Sequence, residues 1–308
     1  MRRIVVDMRI GITGSSGLIG TALTSHLTQS GHEVHPIVRR EPAPGSSELA
    51  WDPERGTIDR DRLSGLDAVV HLAGAGIGDH RWTDSYKRVL MDSRTHGTKL
   101  IAETLAELGT DGPRVLVSGS AIGYYGERGD AELDEASDGG DGFLADICRA
   151  WEASTAPAEA AGVRVTHIRT GIVLSGDGGA LDWKLMTLFK LGAGGRFGSG
   201  RQWWSWISLH DEVRAIEHLL TSSLSGPVNL TAPSPVRNAE FVKALGRVLN
   251  RPAAVPVPSF GPKLLLGSEL ARALLLEGQR VLPNALLRDG FAFDHTDVES
   301  ALRAELGR

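Results

Sequence analysis

The feature that most constrains this chain is a glycine-rich turn near its start, between an apolar run and an amphipathic stretch. Residues 10–20 read Ile-Gly-Ile-Thr-Gly-Ser-Ser-Gly-Leu-Ile-Gly, and a helical pattern follows over residues 21–30. In such a strand–turn–helix unit the first glycine allows the sharp turn, the second lets backbone approach a pyrophosphate, and the third lets the helix lie close to the sheet. Because helix amides and the helix dipole bind phosphate, the pattern predicts a dinucleotide site, with a purely structural turn as the alternative. The residues of this predicted site are Thr13, Gly14, Ser15, Ser16, Gly17, Leu18, Ile19 and Gly20.

Two arginines, Arg39 and Arg40, follow the second predicted strand. At about this place a NAD-binding unit has an acidic residue on the adenosine ribose, whereas an arginine accommodates a 2′-phosphate. Guanidinium groups pair with phosphate through parallel hydrogen bonds. The two arginines therefore favour NADP(H) over NAD(H). The alternative is that both are solvated at the start of a loop, beside Glu41.

Composition and charge narrow the class of protein. The chain has 308 residues, of which 41% are hydrophobic and 23% charged, which suits one large domain or a domain with an appendage. A net charge of −5 provides no basic field, so neither nucleic acid nor a membrane is expected as a partner. The single cysteine, Cys148, excludes an internal disulfide, and the apolar run that stops at Asp7 is too short for a signal sequence. We expect a cytoplasmic monomer or homodimer that acts on a small molecule.

Strands and helices alternate along most of the chain. This order predicts a parallel sheet with helices on both faces, and such sheets bind ligands at the carboxyl ends of their strands. The expected fold class is α/β, a Rossmann-type doubly wound parallel sheet with a small C-terminal lobe on the substrate side. A leucine-rich stretch over residues 263–280 is expected to be a core or partner-facing helix. Predicted strands cover residues 33–38, 67–72, 114–118, 163–168 and 227–231, and predicted helices cover residues 82–108, 143–161 and 185–191.

Several motifs make the chain similar to a short-chain dehydrogenase/reductase of the extended type. Residues 13–20 match the glycine motif of that class, and His71-Leu-Ala-Gly74 matches its motif at the fourth strand. More narrowly, the chain resembles the atypical epimerase family proteins that are sometimes labelled cell-division inhibitor homologues. The resemblance rests on residues 71–77, 81–82, 93–94, 118–126, 151–152, 169–175, 198–207, 278–283 and 290–293.

The resemblance implies an NADP(H) cofactor and further residues that contact it. Leu72, Ala73 and Gly74 would pass under the adenosine side, and Thr170, Gly171 and Ile172 would lie near the nicotinamide. Ser118 is also implied as a cofactor contact. Arg94 stands where the extended class often has an asparagine, so it is expected to reach the cofactor, although a solvated helix position is the alternative. The implied domains are residues 8–235, which bind NADP(H) and form part of the substrate side, and residues 236–308, a small C-terminal domain.

The catalytic pattern departs from the family. The extended class uses a Tyr-x-x-x-Lys pair, in which the lysine lowers the tyrosine pKa, and a serine that orients the substrate oxygen. Ser120 matches the serine, but Leu144 and Cys148 stand at the tyrosine and lysine positions. The resemblance therefore implies an oxidoreductase or epimerase with a non-standard site.

Three interpretations of that site remain open. Tyr124 or Tyr125 donates the proton, with Ser120 and Tyr124 as the expected catalytic pair. Alternatively, Cys148 is reactive, although a lone cysteine on a helix is usually buried and inert. In the third, the protein binds NADP(H) and reports on it without turnover.

Two further patterns concern the second half of the chain. Arg201, Trp203, Trp204 and Trp206 either line the substrate side, where they would hold a flat anionic substrate, or pack against the C-terminal domain. Strand alternation places Trp204 and Trp206 on one face. The run of His210, Asp211 and Glu212 is interpreted as the first turn of a helix, and no metal site is expected.

Overall fold

The computed structural model describes residues 7–179, 189, 194–253 and 256–308. The strands are β1 (Arg9–Thr13), β2 (Glu33–Val38), β3 (Leu49–Asp52), β4 (Thr57–Ile58), β5 (Ala68–His71), β6 (Val115–Ala121), β7 (Glu132–Leu133), β8 (Arg164–Thr170), β9 (Ile172–Ser175), β10 (Gly178–Gly179), β11 (Trp203–Trp204), β12 (Trp206–Ser208), β13 (Gly226–Leu230), β14 (Val236–Arg237) and β15 (Arg280–Val281). The α-helices are α1 (Leu18–Gln29), α2 (Arg60–Ser64), α3 (Asp84–Leu108), α4 (Phe143–Ala153), α5 (Ala156–Ala160), α6 (Leu209–Thr221), α7 (Asn238–Leu249), α8 (Phe260–Leu266), α9 (Ser268–Ala271), α10 (Asn284–Arg288) and α11 (Val298–Glu305).

Eight strands form the main sheet, in the order β13-β8-β6-β5-β1-β2-β3-β4. All neighbouring strands are parallel except β3 and β4. The chain leaves β1 toward β2 on one side and returns to β5 on the other, so the order reverses at β1. Loops diverge at such a point and leave a crevice above the carboxyl ends of the strands. This confirms the predicted α/β fold and locates the crevice beside the glycine turn.

Apolar layers on both faces hold the helices to the sheet. On one face, α1 and α6 pack through residues such as Leu23 and Ile216 against Ile10 and Ile12, all of them fully buried. On the other face, α3 packs through Ile101 and other buried residues. Full burial of each aliphatic side chain contributes about 1.5–3 kcal/mol, and these layers therefore fix the positions of the strand ends.

A second apolar cluster holds the C-terminal lobe. Trp204 and Trp206 lie within it, Trp204 against Phe241 of α7 with 4.8 Å between ring centroids. The two tryptophans therefore share a face, as expected, but they are core residues and do not line a substrate site. Trp203, on the opposite face, lies between the guanidinium groups of Arg237 and Arg280. Among the described residues, no helix is long and apolar enough to cross a membrane.

Two predicted elements differ from the structure. The helix expected over residues 143–161 is two helices, α4 and α5, and the second has Pro157 in its first turn, where a missing amide costs nothing. The leucine-rich stretch is broken at Gly267, whose φ of 92° ends α8, and Leu264 is exposed rather than buried. The helix predicted over residues 185–191 lies outside the described residues, apart from Phe189. The sequence pattern also missed β7 and β15, because two-residue strands carry no periodicity.

Candidate cofactor and active site

The glycine turn forms a tight cradle at the start of α1. Gly14 has φ of 68°, and a Cβ on it would lie 2.9 Å from the backbone nitrogen of Ala73. A Cβ on Gly20 would lie 2.1 Å from the carbonyl oxygen of Gly14, so only glycine lets the helix sit this close to the turn. Gly17 is the N-cap residue, and no described side chain caps this helix end. The first-turn amides, with Ser15 and Ser16 half-buried or exposed beside them, thus form a site that fits a pyrophosphate.

Thr13 and His71 fasten the two strands that flank the crevice. The Thr13 hydroxyl oxygen accepts hydrogen bonds from the amides of Leu72 and Ala73, at 3.1 and 3.2 Å. Its proton is therefore donated to His71 Nδ1, at 2.7 Å, which makes His71 a neutral imidazole with its hydrogen on Nε2. Burial and the nearby charge of Arg94 lower the pKa of His71 to about 3, consistent with a neutral imidazole. His71 is a core residue, as expected, and it positions the Leu72–Gly74 segment.

The two arginines after β2 have different surroundings. Arg40 forms an ion pair with Glu48, with 2.8 Å between Nη1 and Oε2. Arg39 is exposed, and within the described part of the chain it has neither a hydrogen bond nor an ion pair. Of the two, Arg39 is the one whose guanidinium remains available to a phosphate.

Arg94 lies in the crevice without a carboxylate partner among the described residues. It donates to the carbonyl oxygens of Ala75 and Leu90, at 3.0 and 3.1 Å, and its guanidinium faces the Trp151 ring. A Cβ on Gly74 would touch the Arg94 side chain at 3.4 Å, so the arginine lies directly beside the strand end. Burial lowers the pKa of Arg94. A half-buried cation at this edge suits an anionic ligand.

A buried ion pair lies behind Ser120. Arg169 donates to both carboxylate oxygens of Glu152, from Nε at 2.8 Å and from Nη2 at 2.9 Å. The Ser120 hydroxyl donates to Glu152 Oε1 at 2.7 Å. Because its proton is engaged, Ser120 presents lone pairs to the crevice and suits a substrate group that donates a hydrogen bond.

The two candidate tyrosines have different surroundings. Tyr125 is fully buried, donates to Asn229 Oδ1 at 2.7 Å and accepts from Arg169 at 3.0 Å. Burial raises the pKa of Tyr125 to about 12, and its buried hydroxyl already donates to Asn229, so Tyr125 has no proton free for a substrate. Tyr124 is half-buried, and its ring lies against the Arg169 guanidinium with 3.4 Å from Cζ to the ring centroid. Arg169 therefore brings Tyr124 and the Ser120–Glu152 pair into one cluster.

Cys148 has the surroundings of an inert thiol. It is buried, and its thiol donates weakly to the carbonyl oxygen of Ala121 at 3.5 Å. Burial and the charge of Glu152 raise the pKa of Cys148 to about 11, so the thiol stays protonated and the reactive-cysteine interpretation has no support.

Leu144 packs against Gly123. Ser118 is fully buried, and within the described residues its hydroxyl has no partner.

The segment predicted to lie near the nicotinamide joins β8 to β9. The amides of Gly171 and Ile172 donate to the carbonyl oxygens of Leu230 and Ser205. The Thr170 hydroxyl donates to Glu212 Oε1 at 2.8 Å, and Glu212 is fully buried in the first turn of α6. Burial raises the pKa of Glu212 to about 8, against a smaller lowering by the Thr170 hydrogen bond.

We expect Glu212→Gln to remove a pH dependence of stability. The pKa is about 8 in the folded protein, above the usual 4.5. The contribution of Glu212 to the free energy of unfolding is therefore fully present below pH 4.5 and is lost as the pH rises through 8. The variant should therefore gain stability over the wild type by up to about 1.4 kcal/mol per pH unit between pH 5 and 8. Urea unfolding at pH 5, 6.5 and 8 measures this difference. Glu103→Gln, the same change on the exposed face of α3, should show no such growth, and equal profiles for both variants would contradict the prediction.

A cleft of about 780 Å³ opens beside the cluster formed by Tyr124, Arg169, Glu152 and Ser120. Trp82 and Phe143 contribute aromatic rings to its wall, 5.1 Å apart between centroids. Its arginines are engaged, since Arg128 donates to backbone carbonyl oxygens and Arg272 pairs with Glu277. The carboxylates among the described residues that line it are Glu127, Asp138, Asp141, Glu269 and Glu277.

His210, Asp211 and Asp294 are close enough together to hold a metal ion. However, Arg214 pairs with Asp211 at 2.6 Å and with Asp294 at 3.1 Å, and His210 pairs with Asp294. The amide of His295 also donates to Asp211. These contacts tie residues 294–295 to α6, and Asp211 lies in the first turn of that helix as predicted.

Sequence reasoning did not assign roles to Glu152, Arg169 or Glu212. A signal for Glu152 was present, because Leu144, Cys148 and Glu152 follow each other at four-residue spacing and share one face of α4. Arg169 carries no such signal, since it pairs with a residue on another element.

Comparison with known proteins shows the family. Residues 10–142 match the NAD dependent epimerase/dehydratase family, and residues 257–305 match DUF1731, a domain of unknown function. An epimerase family protein of Mycobacterium bovis is 48% identical over 294 residues, 95% of this chain and 96% of that protein. The crystal structure of human epimerase family protein SDR39U1 with NADPH is 33% identical, with a TM-score of 0.87, over 97% of this chain and 99% of that one. The chain therefore belongs to the NAD-dependent epimerase/dehydratase family, among the SDR39U1-like epimerase family proteins with a C-terminal DUF1731 domain.

Proposed function

We propose that this protein binds NADP(H) across the carboxyl ends of β1, β5, β6 and β8. The observation that carries the proposal is the cradle of Gly14, Gly17 and Gly20 at the uncapped start of α1. A relative of the same length, human SDR39U1, was crystallised with NADPH, which supports the same cofactor here. Arg39 would hold the 2′-phosphate, the Leu72–Gly74 segment would lie under the adenosine side, and Thr170–Ile172 would lie near the nicotinamide.

Within this proposal the protein is an oxidoreductase or epimerase that acts on a small molecule. When bound, the cofactor supplies a hydride acceptor or donor. Tyr124 would exchange a proton with the substrate oxygen, and Ser120 would orient the hydroxyl form of the substrate by accepting its hydrogen bond. Glu152 and Arg169 are positioning residues, because they fix the direction of the Ser120 hydroxyl.

The charge of the cleft bears on the substrate class. Arginine and lysine side chains are the usual partners of phosphate groups such as those of a nucleoside diphosphate. Glu127, Asp138 and Asp141 have no ion-pair partner among the described residues, and both arginines of the lining are engaged. We therefore propose a substrate without a diphosphate group.

The second candidate is a protein that binds NADP(H) without turnover. It is favoured by one observation: Leu144 and Cys148 occupy the positions of the family's tyrosine and lysine, and Cys148 is a buried neutral thiol. Such a protein would report on the cofactor rather than use it.

One experiment separates the two functions. The purified protein is titrated with NADPH and then incubated with NADPH and a carbonyl panel, with UDP-glucose as a competitor, while nicotinamide absorbance is followed. Oxidation that Tyr124→Phe abolishes without loss of NADPH binding supports the enzyme, and UDP-glucose should not inhibit it. NADPH binding without oxidation favours the binding protein over an oxidoreductase, and no binding of NADPH contradicts both functions.

Arg39→Asp should change the choice between the two cofactors. We expect NADPH affinity to fall about 10- to 100-fold, since one or two charge-assisted hydrogen bonds are lost, while NADH affinity changes less than about threefold. Fluorescence titration with each nucleotide measures both values. Arg40→Ala is the matched control, because Arg40 pairs with Glu48, and its effect on NADPH should be small. Equal losses of affinity for NADPH and NADH in Arg39→Asp would contradict the assignment of Arg39 to the 2′-phosphate.

A further inference from the structure

Glu212 is a carboxyl group in the interior that has one hydrogen-bond partner among the described residues. Its side chain is fully buried, Oε1 accepts from Thr170, and Oε2 has no partner in the part of the chain that the structure describes. A buried carboxyl without a counter-charge is held in its neutral form, because ionisation in a low-dielectric surrounding is unfavourable. The neighbouring Thr170 is half-buried, and its hydroxyl connects Glu212 to the strand end where the nicotinamide is proposed to lie.

The charged groups on the elements around Glu212 are engaged elsewhere. On β8, His167 and Arg169 pair with Glu159 and Glu152, and Arg164 donates to the carbonyl oxygens of Leu220 and Leu224. On α1, His26 pairs with Glu217, and on α6, His218 pairs with Asp289. On α6 and the segment that follows α10, Asp211, Arg214, His210 and Asp294 pair with one another, and His295 contacts Ser208. β6, β9, β12 and β13 carry no charged side chain. Among the described residues, therefore, no charged side chain forms an ion pair with Glu212.

We propose that Glu212 discriminates between the oxidised and reduced cofactor: it stays protonated beside the uncharged dihydronicotinamide ring of NADPH and releases its proton when the cationic nicotinamide ring of NADP⁺ binds at Thr170–Ile172. This rests on the proposed function, which places the nicotinamide at that segment. The physical reason is that a cation brought near a carboxyl in a low-dielectric site favours the carboxylate. One proton passes to solvent on NADP⁺ binding and none on NADPH binding, so the two affinities depend differently on pH.

The pH range follows from the burial of Glu212, which raises its pKa to about 8. Below that pH the unliganded protein holds the proton, so NADP⁺ binding tightens as the pH rises toward 8 and levels off above it. The 2′-phosphate titrates near pH 6 in both cofactor forms, and the ratio of the two affinities cancels its effect.

The experiment is calorimetric titration of the full chain with NADP⁺ and with NADPH at pH 6, 7, 8 and 9. We expect the ratio of Kd for NADPH to Kd for NADP⁺ to rise by up to about tenfold per pH unit below pH 8, the limit for one linked proton. At pH 7, titrations in two buffers of different ionisation enthalpy should show proton release with NADP⁺ only. Glu212→Gln should make the ratio independent of pH, whereas Glu103→Gln should leave the wild-type rise unchanged.

A ratio that changes less than about twofold between pH 6 and 8 in the wild type would overturn the proposal, as would an equal rise in Glu212→Gln. The wild-type measurement stands alone if that variant does not fold, and Glu212→Leu provides a second test. Binding of both forms with a flat ratio removes only the role of Glu212, whereas no binding of either form removes the proposed cofactor site.

Discussion

Gly20→Ala should reduce NADPH affinity by on the order of 100-fold and destabilise the fold by about 2–3 kcal/mol. The new Cβ would lie 2.1 Å from the Gly14 carbonyl oxygen and 2.8 Å from the Cα of Ser15, both of which are backbone atoms that no side-chain rotation can move. The helix must therefore shift away from the turn, and the first-turn amides lose their alignment on the pyrophosphate. Fluorescence titration with NADPH and urea unfolding measure the two effects.

The matched control for this change is Gly261→Ala, on α8. A Cβ there meets no atom within 4 Å, and the residue is helical, so alanine is expected to be neutral or slightly stabilising. NADPH binding by Gly20→Ala at near wild-type affinity would show that the close approach of α1 is not needed for the cofactor.

Glu152→Ala should destabilise the protein by about 3–5 kcal/mol, the usual cost of removing one partner of a buried ion pair. Arg169 is 4% exposed at its side chain and would keep its charge without a counter-ion. The Ser120 hydroxyl would also lose its acceptor. Urea unfolding at pH 7 gives the loss, and the double variant Glu152→Leu with Arg169→Met should recover much of it, because neither charge of the pair then remains.

An exposed pair shows the contrast. Glu107 pairs with Arg60, and both side chains are 55% exposed. Glu107→Ala should therefore lower the free energy of unfolding by less than about 1 kcal/mol. If Glu152→Ala lost as little stability as Glu107→Ala, water would reach the Arg169 guanidinium and the ion pair would not fix the direction of Ser120.

The cofactor half of the site was predictable because its parts are local in the chain. The turn from Gly14 to Gly20 needs only a strand, three glycines and a helix in sequence, and the alternation of strands and helices places this turn at the crevice. The interpretation of His71 as a core residue and of Cys148 as a buried thiol also follows from their neighbours in the sequence, and both are confirmed.

The cluster around Ser120 and Tyr124 was predictable only in part. Ser120 and Tyr124 were expected at the end of β6, but the ion pair that joins them comes from α4 and β8. Trp204 and Trp206 were assigned to one face correctly, yet the pattern did not distinguish a substrate wall from a core, since both are apolar surfaces.

The fold class and the position of the glycine cradle follow from the order of residues along the chain, because both depend on short-range order and on the period of the apolar residues. Only the tertiary structure decided that Arg40 pairs with Glu48, that Ser120 donates to Glu152, and that Glu212 is buried beside Thr170. The physical reason is that the charge state and direction of a polar group are set by the desolvation and partners it meets, and those partners lie far away in the chain.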